Sequence, residues 1–126
     1  MLTGLRILVV EDNLLNQKIV SFILQKQNAI IALAINGREA IDILLKDNYD
    51  IVLMDLQMPE MDGYSTIQYI RETMKDNIPI IALTAGLFAD ELEACERIGA
   101  NACISKPIDQ NGLCDLISNL TMEYKK

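Results

Sequence analysis

Five short apolar runs, each followed by a segment of helical length and periodicity, set the strongest constraint on the fold of this chain. The runs span 7–10, 29–34, 51–54, 79–83 and 102–105. They are nearly continuous in apolar residues, which is typical of strands buried on both faces of a parallel sheet. Because right-handed crossover helices join such strands, the order βαβαβαβαβα predicts an α/β, doubly wound (βα)5 fold with a five-stranded parallel sheet.

Apolar residues at helical spacing mark the helices that follow the strands. Asn13 is expected to cap the first helix, and Gly99 to end the fourth. The stripes on helices four and five are expected to be core, whereas Leu14 and Leu15 at the start of helix one are the better candidates for docking a partner. The stripes are Leu15, Ile19, Phe22 and Ile23; Ala40, Ile41, Leu44 and Leu45; Ile67, Ile70 and Met74; Phe88, Leu92 and Cys95; and Leu113, Leu116, Ile117 and Leu120.

The composition argues against several classes of function. The 126 residues include no histidine, so no histidine base, metal ligand or phosphohistidine can form within the chain. With 11 Lys and Arg against 18 Asp and Glu, the formal charge of −7 opposes binding to nucleic acid. No apolar run reaches the roughly 18 residues of a membrane span, and the first residues lack a signal-peptide layout. We expect one domain over 1–126 with a core of about 5–120, favoured as a monomer without membrane contact.

The three cysteines, Cys95, Cys103 and Cys114, form no C-x-x-C motif. They are expected to be reduced thiols of a cytoplasmic protein. Cys103 is interpreted as a small apolar residue rather than a redox sensor, because no second cysteine is close to it in sequence.

Polar side chains follow four of the apolar runs, at the point where each strand ends. They are Glu11 and Asp12, Asp55, Thr84, and Lys106. Because ligands bind at the carboxyl ends of the strands in a doubly wound sheet, these side chains are expected to form one site. Taken singly, a strand-end aspartate is more often a cap, but the whole set favours a functional site. Clustered carboxylates attract a cation, and oxygen ligands favour Mg²⁺. A carboxylate beside a metal and a lysine can attack phosphorus.

Four stretches of the sequence resemble the receiver domain of bacterial two-component response regulators. They are ILVVEDN at 7–13, MDLQMPEMDG at 54–63, LTA at 83–85 and SKP at 105–107. The resemblance implies a flavodoxin-like receiver fold with the strand order 2-1-3-4-5. The segment EDNLLNQK at 11–18 is most similar to the corresponding segment of receivers attached to hybrid sensor histidine kinases. This resemblance implies that the domain takes part in a phosphorelay.

The resemblance also implies a role for each site residue. Asp55 is the implied phosphoacceptor, taking the group from a phosphohistidine of a histidine kinase or a histidine phosphotransfer domain. Mg²⁺ is the implied cofactor, and its implied ligands are Glu11, Asp12, Asp55 and the backbone carbonyl of Gln57. On this resemblance the domain is a phosphoacceptor with slow self-dephosphorylation rather than an independent enzyme, although a parent hybrid kinase would be an enzyme.

The same resemblance implies that Thr84 and Lys106 contact the phosphoryl group and switch the loop after strand four, with Ala85 and Pro107 in support. Lys106–Pro107 resembles the cis peptide bond of the family. Cys103 departs from the pattern, because many receivers carry Tyr or Phe three residues before the lysine. Without that ring, the switch would have to act through the backbone of the loop that contains Gly86.

Other functions remain open at this point. The runner-up is a receiver fold that docks partners without being phosphorylated, although the presence of all the site residues argues against it. A phosphatase of the haloacid dehalogenase type usually has a second Asp where this chain has Gln57. A flavodoxin would need a hydroxyl-rich phosphate loop where this chain has Glu11 and Asp12.

Overall fold

Strands and helices alternate along the chain in the computed structural model, which describes residues 2–56, 63–84, 89–106 and 108–124, without the side chains of 89–92 and 123–124. None of the described helices is long and apolar enough to cross a membrane. In chain order the elements are β1 (Arg6–Val10), α1 (Leu14–Gln25), β2 (Ile30–Ala34), α2 (Gly37–Lys46), β3 (Ile51–Asp55), α3 (Gly63–Gln68), a π-helical segment (Tyr69–Thr73), β4 (Ile80–Thr84), α4 (Ala89–Ile98), β5 (Ala102–Ser105) and α5 (Gln110–Tyr124).

The five strands form one parallel sheet in the order β2-β1-β3-β4-β5. This confirms the predicted doubly wound fold and its strand order. Asp55 is in register with Leu83, and Thr84 is in register with Ser105. The carboxyl ends of β1, β3, β4 and β5 therefore lie along one edge, where the polar side chains follow the strands.

Two apolar clusters cover the two faces of the sheet. Helices α1 and α5 pack on one face, and α2, α3 and α4 pack on the other. The apolar residues of β1, β3 and β4 are fully buried, as their continuous pattern predicts. The outer strand β2 differs, because Ile30 and Leu33 are largely exposed.

Most of the predicted apolar stripe of α1 faces solvent rather than the sheet. Gln17, Val20, Ile23 and Leu24 are the buried residues of this helix. Of the stripe marked by the sequence, Ile23 alone is buried, whereas Leu15, Ile19 and Phe22 are exposed. On α4 and α5, Cys95, Leu113 and Ile117 are buried as predicted, while the side chains of Phe88 and Leu92 lie outside the described residues. Helix α1 thus has a second apolar face that the sheet leaves uncovered.

The predicted cap and stop signals are present. The side chain of Asn13 accepts a hydrogen bond from the backbone N–H of Asn16 (3.0 Å), which begins α1. Gly99 has φ +103°, a left-handed conformation that favours glycine and ends α4.

The third helix differs from the regular helix that Ile67, Ile70 and Met74 predicted. After Gln68 it widens into a π-helical segment, in which the Met74 N–H donates to the Tyr69 carbonyl (3.0 Å). The Arg71 guanidinium lies in this segment and donates to the Gly99 carbonyl (3.0 Å) and to Asn101 Oδ1 (2.9 Å). These bonds tie the widened turn to the connection between α4 and β5.

Candidate functional site

Three carboxylates meet at the carboxyl ends of β1 and β3. Glu11 and Asp12 follow β1, and Asp55 is the last residue of β3. Ligand oxygens from the three side chains all lie within 4.8 Å of one another. Glu11 is 1% exposed and Asp55 is 3% exposed, whereas Asp12 is exposed to solvent. Two of the three carboxylates are therefore buried, and the third is in contact with solvent.

Hydrogen bonds hold Glu11 in place from several directions. Its Oε2 accepts from the backbone N–H of Asn13 (3.2 Å), and its own N–H donates to the Ala34 carbonyl (2.9 Å). The buried side chain of Gln17 donates from Nε2 to the Glu11 carbonyl. These contacts fix the strand end that carries two of the three carboxylates.

Lys106 supplies the positive charge of the site. Its Nζ lies 3.0 Å from Glu11 Oε1 and 3.5 Å from Asp55 Oδ2. Burial by itself lowers the pKa of the ammonium, but the hydrogen bond to Glu11 and the charges of Asp55 and Glu11 outweigh it, so the pKa lies above its usual value. The lysine is therefore a permanent cation at neutral pH.

Thr84 is the polar residue at the carboxyl end of β4, and it is buried. Its backbone carbonyl accepts a hydrogen bond from the Lys106 N–H (2.8 Å), so the ends of β4 and β5 are joined directly beside the lysine. Gln57, Ala85, Gly86 and Pro107, which the sequence also marked, lie outside the described residues. The structure thus brings Glu11, Asp12, Asp55, Thr84 and Lys106 to one edge of the sheet.

The donor set fits a hard divalent cation. Three carboxylates face one ammonium, which leaves a formal charge of −2 within the described site. All three ligands are oxygens, and one of them is exposed where an ion could keep water molecules. A divalent cation would balance this charge, so the cluster could hold a metal.

Two features of the site region were not anticipated from the sequence. Gln17 lies on the buried face of α1 and anchors Glu11; its position among Val20, Ile23 and Leu24 at helical spacing is the signal that could have marked it. A cavity next to the site is lined by Glu11, Asn16, Ile19, Val20, Lys106 and Ile108. Helix α1 therefore borders the carboxylates directly.

A second cysteine lies beside Cys103 in space, although none is close to it in sequence. Cys103 is half-buried on β5 and packs against the apolar cluster under α4. The Sγ atom of Cys95 on α4 is 3.3 Å from the Sγ atom of Cys103. One helical turn plus the turn at Gly99 brings together two thiols that are eight residues apart.

Comparisons with known proteins give one consistent result. A family model described as "Response regulator receiver domain" matches residues 7–118. Hybrid signal transduction histidine kinase B of Dictyostelium discoideum is 40% identical over 115 residues, covering 82% of this chain and 6% of that protein. The osmosensing histidine protein kinase SLN1 of Saccharomyces cerevisiae is 36% identical over 131 residues, covering 98% of this chain and 11% of that protein. The chain spans about a tenth or less of the length of these relatives.

Two solved structures are similar in fold and in sequence. The receiver domain of a Pseudomonas aeruginosa sensor histidine kinase, with a magnesium ion coordinated in its active site cleft, is 33% identical with a TM-score of 0.85, covering 94% of this chain and 98% of that one. The receiver domain of the Saccharomyces cerevisiae response regulator Ssk1, crystallised with the histidine phosphotransfer protein Ypd1, is 29% identical with a TM-score of 0.89, covering 95% of this chain and 90% of that one.

Proposed function

We propose that this chain, which belongs to the response regulator receiver domain family, accepts a phosphoryl group on the carboxylate of Asp55. The observation that carries the proposal is the position of Asp55, buried beside the carboxylates of Glu11 and Asp12 with the Lys106 ammonium 3.5 Å from its Oδ2. A carboxylate oxygen would attack phosphorus while the P–N bond of a donor phosphohistidine breaks and the imidazole leaves. Asp55 is the acidic residue of the set that lies within a central strand, as the last residue of β3, where it is in register with Leu83 of β4.

The other site residues would bind the cofactor and the incoming group. Glu11, Asp12, Asp55 and the backbone carbonyl of Gln57 would hold Mg²⁺, which when bound neutralises charge on phosphoryl oxygens. The Lys106 ammonium, already between Glu11 and Asp55, would contact a phosphoryl oxygen. The Thr84 hydroxyl would contact another, and the link between the Lys106 N–H and the Thr84 carbonyl would couple movement at either residue to the other.

The donor would be a histidine kinase or a histidine phosphotransfer protein that docks on α1. Leu14, Leu15, Ile19 and Phe22 are exposed on this helix, which begins beside Asp12. Ile19 also lines the cavity shared with Glu11 and Lys106. An apolar face bordering the carboxylates suits a partner that must bring a phosphohistidine to Asp55. The hybrid kinases among the relatives favour a phosphorelay. Slow hydrolysis of phosphorylated Asp55 stays a prediction. The cytoplasmic location and the monomeric state stay predictions.

Phosphorylation by a small donor tests this proposal without a partner. The purified chain is incubated with acetyl phosphate and Mg²⁺, and its intact mass is recorded over time. We expect one phosphoryl adduct that is absent with EDTA and absent in Asp55→Asn. Asp42→Asn, which removes the same charge from the exposed face of α2, should be phosphorylated like the wild type.

A beryllofluoride titration separates fast turnover from true inactivity. If no adduct accumulates but beryllofluoride binds to the wild type and not to Asp55→Asn, the acceptor works and hydrolysis is fast. If neither reagent modifies or binds the chain, the proposal is wrong, and a docking module that is not phosphorylated becomes the better interpretation.

A further inference from the structure

Two thiols face each other between α4 and β5. Cys95 is 1% exposed, Cys103 is half-buried, and their Sγ atoms are 3.3 Å apart. A disulfide requires about 2.05 Å between its sulfurs, so the two atoms would have to approach by about 1.3 Å. We propose that Cys95 and Cys103 are a reversible modification site, which hydrogen peroxide converts to an intramolecular disulfide.

The difference in exposure sets the order of the chemistry. The thiolate of Cys103, the less buried of the two residues, attacks one oxygen of hydrogen peroxide; the O–O bond breaks, water leaves after protonation, and Cys103 becomes a sulfenic acid. The thiolate of Cys95 then attacks this sulfur, the S–S bond forms, the S–O bond of the sulfenic acid breaks, and the hydroxide leaves as a second water after protonation. In total, two thiols and one hydrogen peroxide give one disulfide and two water molecules. A dithiol reductant reverses the change.

The third cysteine is separated from this pair by the sheet. Cys114 packs in the apolar cluster under α1 and α5, whereas Cys95 and Cys103 belong to the cluster on the opposite face. Burial also raises the pKa of the Cys114 thiol, which lowers its thiolate fraction. Cys114 therefore offers no partner for the pair.

The cross-link would restrain the part of the fold next to the site. Cys103 is in register with Ala82, two residues before Thr84, and Lys106 directly follows the strand that carries Cys103. A disulfide would fasten α4 to that strand. The inference does not rest on phosphorylation of Asp55, because the thiol contact is independent of the carboxylates.

Thiol counting in a Cys114→Ser chain tests the proposal. The folded chain is treated with hydrogen peroxide, quenched, denatured and alkylated, and its intact mass is measured. We expect the number of alkylated thiols to fall from two to none, and to return to two after dithiothreitol. Trypsin cleaves after Arg97, between the two cysteines, so the link should appear as a joined pair of peptides.

A variant that keeps only Cys103 and the wild type complete the test. In a Cys95→Ser, Cys114→Ser chain, Cys103 should stop at the sulfenic acid, which dimedone traps; circular dichroism checks the fold. In the wild type, which needs no substitution, the thiol count should fall from three to one. Retention of both thiols in the Cys114→Ser chain, or disulfides formed only between two chains, would overturn the proposal.

Discussion

Gly63 packs directly against the main chain that carries Asp55. A β-carbon at residue 63 would lie 2.6 Å from Leu56 Cα and 3.0 Å from the Asp55 carbonyl carbon. These are backbone atoms at the end of a central strand and directly after it, and they cannot rotate away. We expect Gly63→Ala to lower the free energy of unfolding by about 3 kcal/mol, at the upper end of overpacking effects, and to slow phosphorylation of Asp55. Urea unfolding and the acetyl phosphate assay measure the two effects.

A second glycine offers the matched control for this prediction. A β-carbon at Gly112 on α5 would lie 2.8 Å from Asp109 Oδ2, which belongs to a side chain that can turn away. The helix gains about 1 kcal/mol from the replacement of glycine, which offsets a similar loss if the Asp109 side chain gives up its bond to the Gly112 N–H. Gly112→Ala should therefore leave stability nearly unchanged. Equal losses in the two variants would show that backbone crowding at Asp55 is not the cause.

Magnesium should stabilise the folded chain through the carboxylates. At ten times its dissociation constant, a bound ion raises the free energy of unfolding by about 1.4 kcal/mol. We expect this gain in Mg²⁺ and its loss in EDTA, measured by urea unfolding. Asp12→Asn should lose most of the gain, whereas Asp42→Asn, with the same charge change on α2, should keep it. A gain of the same size in both variants would place the ion elsewhere.

The sequence was sufficient to predict a parallel sheet and the residues that follow its strands, because both depend on local patterns, whereas the order of the strands came from the family resemblance. Continuous apolar runs marked the buried strands, and the first polar residue after each run marked its end. This is why Glu11, Asp55 and Lys106 could be assigned to one site before their distances were known. The carboxyl ends of parallel strands lie at the same edge of a sheet, so residues that follow these strands are close in space although they are far apart in sequence.

Contacts that depend on how the helices pack could not be predicted from the spacing of apolar and polar residues. The apolar residues of α1 are numerous enough to form two faces, and their spacing does not show which one meets the sheet; Leu15 and Ile19 face solvent, while Gln17 is buried. The contact between Cys95 and Cys103 depends on how α4 crosses β5, which eight residues of sequence separation do not reveal. The exposure of β2 likewise follows from its place at the edge of the sheet.

The contribution of the Arg6–Asp47 ion pair to the free energy of unfolding should fall as the solution becomes acidic. Arg6 Nη2 lies 2.8 Å from Asp47 Oδ2, and this hydrogen bond, with a second from the Asn48 N–H, lowers the pKa of Asp47 below its usual 3.8. A lowered pKa in the folded state gives stability that is present above the unfolded pKa and lost as the pH falls through the folded pKa. The stability lost in Asp47→Asn should therefore shrink below about pH 3.8.

Carbon-detected NMR titration of the Asp47 carboxyl measures this shift directly. In Arg6→Gln, its pKa should rise toward 3.8. Arg38→Gln removes the same charge from an exposed site on α2 and should leave the titration of Asp47 as in the wild type. If the pKa of Asp47 stays equally low in Arg6→Gln, the hydrogen bond from the Asn48 backbone N–H, and not Arg6, is the cause of the shift.

The exposed face of α1 should matter for a protein donor and not for a small one. Leu15 on α1 and Leu45 on α2 are 66% and 67% exposed, so either can be changed to serine at little cost to the core. If a phosphohistidine protein docks on α1, Leu15→Ser should slow transfer from it about tenfold, which corresponds to about 1.4 kcal/mol of lost contact energy. Leu45→Ser should leave that rate unchanged.

Transfer is measured with a phosphorylated histidine phosphotransfer protein that is active on the wild type, and acetyl phosphate should modify all three chains alike. Equal transfer to the two variants would move the docking surface away from α1, while a loss with acetyl phosphate as well would point to a disturbed site instead.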